Sequence, residues 1–133
     1  MQRHTTDDIE ATVEQIRHLW CHLTDGQRDL IMAMDSPTGS VRSLDELGER
    51  MGRTKSSAIG ILNGLGRTIK HAFPNAFNVQ GLNRPGMTVY TIILFHEELS
   101  EHPEIDGMWL FRRRPALHAF LVAQGLLSEN QDE

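Results

Sequence analysis

Lys55, Ser56, Ser57, Asn63 and Arg67 lie in one stretch of helical periodicity, and each offers an anion or a base edge something to bond. Asn and Arg side chains can grip a base edge with paired hydrogen bonds, and Arg, Lys and Ser can hold phosphate oxygens. Ser56 and Ser57 also open the stretch, where free backbone N–H groups would favour an anion. Arg50, Arg53, Lys70 and Arg84 flank it as cations able to neutralise phosphates. The carboxylates are elsewhere. Residues 50–96 hold none of the 18 acidic side chains, in a chain whose formal net charge is −5. Segregation of this kind predicts a basic face on an acidic body, with a polyanion as the first partner to consider.

Other groups with chemical potential are weaker. His18 and His22 stand four apart, with Glu14 one turn earlier. Such a trio can ligate a metal, but a further ligand in register and a His-Glu-x-x-His pattern are missing, so solvent-facing histidines and no metal are expected. Cys21 is the single cysteine and has no orienting partner nearby; it is expected to be half-buried and structural, in a reducing cytoplasm. Arg112-Arg113-Arg114 ends an apolar run and could contact phosphates or neutralise Glu101, Glu104 and Asp106 beside it, the second being favoured slightly. Neither a glycine-rich phosphate loop nor paired catalytic carboxylates stand out, so the chain reads as a non-enzyme without a cofactor.

The elements that must position these residues can be read in order. At 133 residues and 39% apolar content the chain is expected to be one domain, 1–133, with a proper core. No apolar run approaches the roughly 20 residues of a membrane span, and the N-terminus lacks the apolar core of a secretion signal. Ile9, Val13, Ile16, Trp20 and Leu23 step by helical spacing, predicting a helix over Asp8–Leu23. Thr24 and Gln27 form a capping box before a second helix through Leu30, Ile31 and Met34, which Ser36-Pro37-Thr38-Gly39 ends. Ser40–Arg42 is a single short strand. Ser43 and Glu46 cap a third helix through Leu44, Leu47 and Met51, with Gly52 in the left-handed stop position. Thr54 then caps a long helix to Phe73, before Pro74. Thr88–Phe95 and Met108–Arg112 are the two strands of a hairpin, with Asn83–Gly86 a turn before it. Ala116–Leu127 is a last helix, entered through Pro115, and a polar tail follows.

Along 54–73, Ala58, Ile61, Leu62, Leu65, Ile69 and Ala72 share one side of the helix. Ser56, Gly60, Asn63, Arg67 and His71 share the other. A short helix, a tight turn and a long helix with a cationic outer face follow in direct succession. On those residues, 24–96 resembles a winged helix-turn-helix domain. The run Ala58-x-Gly60-x-Leu62-x-Gly64-Leu65-x-Arg67 is similar to small actinobacterial winged-helix domains of unassigned function. The resemblance implies a mainly α fold with a small antiparallel β hairpin: a core and wing over 24–113, with flanking helices at 6–23 and 115–127. In most members it implies a DNA-binding transcriptional role, in others a protein-interaction module. The departures are a long stretch between the reading helix and the strands, and a hairpin carrying Glu97, Glu98, Glu101, Glu104 and Asp106, which would avoid DNA.

The expectation is therefore a sequence-specific regulator of bacterial or phage origin that binds double-stranded DNA, with helix 54–73 in the major groove. Lys55, Ser56, Ser57, Asn63 and Arg67 would enter the groove, and Arg50, Arg53, Lys70 and Arg84 would touch phosphates. The last helix is apolar nearly all round, which suggests a homodimer through the terminal helices. The rival expectation is an interaction module on the same scaffold that binds protein and not DNA.

Overall fold

A computed structural model describes residues 10–73, 90–99 and 109–127. Its helices begin where short polar side chains can replace missing backbone partners. Thr12 caps α1 (Val13–Trp20), Thr24 caps α2 (Asp25–Ala33) and Ser43 caps α3 (Leu44–Met51). In each, the hydroxyl accepts the N–H three residues on, and Gln15, Gln27 or Glu46 bonds back. Thr54 caps α4 (Lys55–Ala72) by accepting the N–H of Ser57 at 3.0 Å. The first helix is thus shorter than periodicity predicted: Thr12 starts it, and residues 1–9 lie outside the described set. Upstream of the cap the backbone is extended, with the Ala11 N–H bonded to the Ile93 carbonyl.

Gly52 adopts φ 72° and ψ 30°, ending α3 as expected. The turn into α4 is tight because α3 contributes a bare backbone there. A Cβ on Gly48 would stand 3.1 Å from the carbonyl oxygens of both Arg53 and Thr54. The α3–turn–α4 unit therefore depends on glycine at two places for two reasons, handedness and close approach.

The strands are β1 (Arg42–Ser43), β2 (Phe95–Leu99) and β3 (Trp109–Arg113), in an antiparallel sheet of order β1-β3-β2. Arg42 lies opposite Phe111, and Phe95 opposite Arg113. The strand expected over Thr88–Phe95 is displaced. Tyr90–Ile93 is a 3-10 turn, and the ladder begins only at Phe95 and runs through Glu97 and Glu98. Those two carboxylates belong to the sheet, not to a hairpin tip. Glu97 is buried and accepts the Thr91 hydroxyl at 2.8 Å. β3 runs one residue past the expected Arg112, with Met108 outside the described residues, and α5 (Pro115–Ala123) stops four residues short of the expected end.

Leu30 and Ile31 of α2, Leu47 of α3, and Leu62, Leu65 and Ile69 of α4 meet Ile92, Ile93, Phe95 and Phe111 in one core. Each fully buried aliphatic side chain there contributes about 1.5–3 kcal/mol. α1 and α5 pack on each other, Trp20 lying against Phe120 with ring centroids 5.6 Å apart. The Glu10 carboxylate accepts the Ala116 N–H at 2.8 Å and so supplies the cap that Arg114 does not. The apolar sides of α5 are thereby largely covered within the chain. Leu126 is the one strongly exposed large apolar residue among those described. No described helix is long and apolar enough to cross a membrane.

A buried ionic cluster joins α2 to the sheet. The Asp35 side chain is 1% exposed and accepts Arg50 Nη1 at 2.7 Å, Arg42 Nη2 at 3.2 Å and the Ser40 N–H at 3.1 Å. Arg113, also buried, donates to the carbonyls of Ile31, Met32 and Met34, while Arg50 donates to that of Ala33. Two guanidinium groups thus satisfy the last carbonyls of α2, where the helix dipole favours positive charge. Arg114 donates to the Ile92 carbonyl and Arg112 to that of Gly39. Each arginine of the run Arg112–Arg114 thus donates to a backbone carbonyl, and Glu101, Glu104 and Asp106, which the run was expected to neutralise, lie outside the described residues.

Candidate nucleic-acid interface

α4 is held by its buried stripe of Ala58, Leu62, Leu65, Gly66 and Ile69, with Ile61 and Ala72 half-buried at the margins. That orientation exposes Ser56, Gly60, Arg67, Lys70 and His71 and leaves Asn63 half-buried beside them. Periodicity placed this face correctly, because one buried stripe fixes the rotation of the whole helix. No carboxylate lies on it. Among the described residues, neither Arg67 nor Lys70 has an acidic partner within ion-pair distance.

The remaining cations are situated differently. Arg50 is bound through Nη1 to the buried Asp35 and to the Ala33 carbonyl, so a phosphate contact would compete with an ion pair that the fold itself uses. Burial by itself would raise the Asp35 carboxyl, but hydrogen bonds from Arg50 and then Arg42, with their charges, hold it below the ordinary carboxylate value. Arg42 is raised in return, chiefly by its hydrogen bond to Asp35. Arg113 is lowered by burial, only partly offset by Asp35. Arg53 faces Asp29 at 3.9 Å, and Lys55 faces Asp45 at 3.8 Å. All four of those side chains are more than a third exposed, so these are weak pairs that a phosphate can displace. The N–H of Ser57 is taken by the Thr54 cap, which removes it from the anion-binding role expected of it. Arg84 lies outside the described residues.

The glycines of α4 separate into different cases. A Cβ on Gly64 would meet Gln27 Nε2 at 3.4 Å, an ordinary contact, whereas one on Gly60 would meet nothing within 4 Å. Gly60→Ala should therefore stabilise the isolated protein by up to about 1 kcal/mol, read from urea unfolding. If a ligand backbone comes close to α4, the same variant should bind that ligand more weakly.

One convergence escaped the sequence reading. His18 of α1 and His22 of the turn that follows it face Arg67, Thr68 and His71 of α4 across a cleft of about 620 Å³, with Gly64 and Ala72 completing its walls. The His18 ring lies 5.2 Å from that of His22 and 5.8 Å from that of Phe73. His18–His22 spacing was visible in the sequence, but no local pattern tells which helix α1 packs beside.

No family model, curated protein or solved structure matches the chain. What the geometry defines is a mainly helical fold with a small three-stranded antiparallel sheet, presenting one carboxylate-free helix face.

Proposed function

We propose that this chain is a winged helix-turn-helix regulator of transcription that binds double-stranded DNA in a sequence-specific way, with α4 in the major groove. The order α2-β1-α3-α4-β2-β3, with the sheet arranged β1-β3-β2, supports the winged-helix reading. The observation that carries the DNA reading is the outward face of α4, where Ser56, Asn63, Arg67 and Lys70 stand without a carboxylate. In this reading Lys55, Ser56, Asn63 and Arg67 meet base edges, while Arg53, Lys70 and Arg84 meet phosphates; Arg50 leaves the contact set. The protein acts in the cytoplasm and catalyses no reaction. A homodimer would present two copies of α4 to neighbouring major grooves, pairing through the exposed Ala119, Ala123 and Leu126.

A gel shift on random duplex at low salt tests this. Retardation is expected, with affinity falling as salt rises; with about three phosphates neutralised, the log–log slope should be near about −2.7. The pairing of Arg53 and Lys55 with Asp29 and Asp45, in a chain of net charge −5, favours the rival reading of a protein-interaction module. Absence of any shift at tens of micromolar protein decides for that rival.

A further inference from the structure

We propose that the cleft between α1 and α4 is a binding site for a small free ligand bearing a tetrahedral oxyanion, with the histidines setting its pH dependence. The cleft's about 620 Å³ is ample for such a ligand. Its donors come from two sides: His18 of α1 and His22 of the turn after it, and Arg67 and His71 of α4. Among the described residues no carboxylate lines it. Arg67 has no acidic partner among the described residues, in contrast to Arg42, Arg50 and Arg53. A planar fork of donors without a counter-ion, beside three imidazoles, suits phosphate or sulfate oxygens.

A cation is the obvious rival occupant of a histidine cluster, and two observations oppose it. Arg67 places a permanent positive charge in the same cleft, and no three His, Cys, Asp or Glu side chains among the described residues stand close enough to hold a metal. The polar neighbours do not change the sign. On α1, Glu14 is engaged by Arg17 at the surface one turn before His18, and Cys21 just past the helix is exposed. On α4, Lys70 adds a further exposed cation. From α2, the Gln27 amide donates to the Thr68 hydroxyl, which itself donates to the Gly64 carbonyl.

Protonated imidazoles add positive charge, so affinity for the oxyanion rises as pH falls from about 8 to about 6. Sulfate is the suitable probe, because its charge is constant in that range. The full chain would be titrated with sodium sulfate against sodium chloride at fixed ionic strength, following the histidine side-chain resonances. Saturable shifts of His18, His22 and His71 are expected, with affinity roughly tenfold tighter near pH 6 than near pH 8. Arg67→Gln, an exposed substitution whose folding circular dichroism can verify, should lose the saturable binding. The His18→Gln/His22→Gln double variant should bind more weakly and lose most of the pH dependence. Non-saturable shifts, or Arg67→Gln binding like the native chain, would overturn the site. Displacement of sulfate by a short DNA duplex at the same resonances would overturn the free-ligand assignment and make the oxyanion a backbone phosphate. The proposal does not rest on the DNA reading: saturable sulfate binding without a gel shift leaves it standing alone.

Discussion

Asp35→Ala should destabilise the protein by about 3–5 kcal/mol, the cost of removing one partner from a buried ionic cluster. The native carboxylate is 1% exposed and accepts two guanidinium groups and a backbone N–H; Arg113 lies in the same cluster. Without it Arg42 and Arg50 lose their shared acceptor, and Arg113 stays buried without the Asp35 charge that partly offsets its desolvation. Urea unfolding measures the loss. Glu14→Ala is the control: that ion pair is on the surface, both side chains more than half exposed, and its removal should cost under about 1 kcal/mol. Equal effects of the two substitutions would show that the cluster does not hold α2 to the sheet. The same residue gives an acid limb. Because the folded Asp35 titrates below its unfolded value, its contribution is fully present above about pH 4 and is lost as pH falls through the depressed folded value. Asp35→Ala should flatten that part of the stability–pH curve.

Arg67→Ala should weaken binding to a preferred duplex by about 1–3 kcal/mol and relax the preference at one base position, with little change in stability. The side chain is exposed and makes no ion pair among the described residues, so its removal leaves no orphaned partner. Arg67→Lys should recover charge but not a paired hydrogen bond, and so remain less specific than the native chain. Arg50→Ala gives the opposite pattern. It should cost stability through Asp35 and the Ala33 carbonyl, and affect DNA only as far as the fold is lost. Binding measured on random and selected duplexes, beside unfolding curves, separates the two arginines. Equal affinity of Arg67→Ala and the native chain for the selected duplex would remove Arg67 from the reading surface.

Arg50 and Arg67 illustrate what local pattern can and cannot convey. In the sequence both are arginines in a carboxylate-free segment, and both were expected at DNA. The segment's own residues contain no acid, but Asp35, fifteen positions upstream, is brought to Arg50 by the packing of α2 on α3. Charge counted along the chain is blind to such pairing. The same applies to Arg113, whose role depends on β3 running beside the end of α2. The 3-10 turn at Tyr90–Ile93 was missed because Thr91, Ile92 and Ile93 favour a strand locally, whereas the fold buries them in a turn packed against α4.

The chain's own order of residues determined the caps at Thr24, Ser43 and Thr54, the left-handed stop at Gly52, and the buried and exposed sides of α4. Each rests on interactions within about one helical turn, or on a periodicity that one element carries alone. Tertiary structure decided which cations remain accessible, where β2 begins, and that α1 lies beside α4 to make a cleft of histidines and Arg67. Those outcomes depend on side chains tens of residues apart meeting in space, which spacing along the chain does not encode.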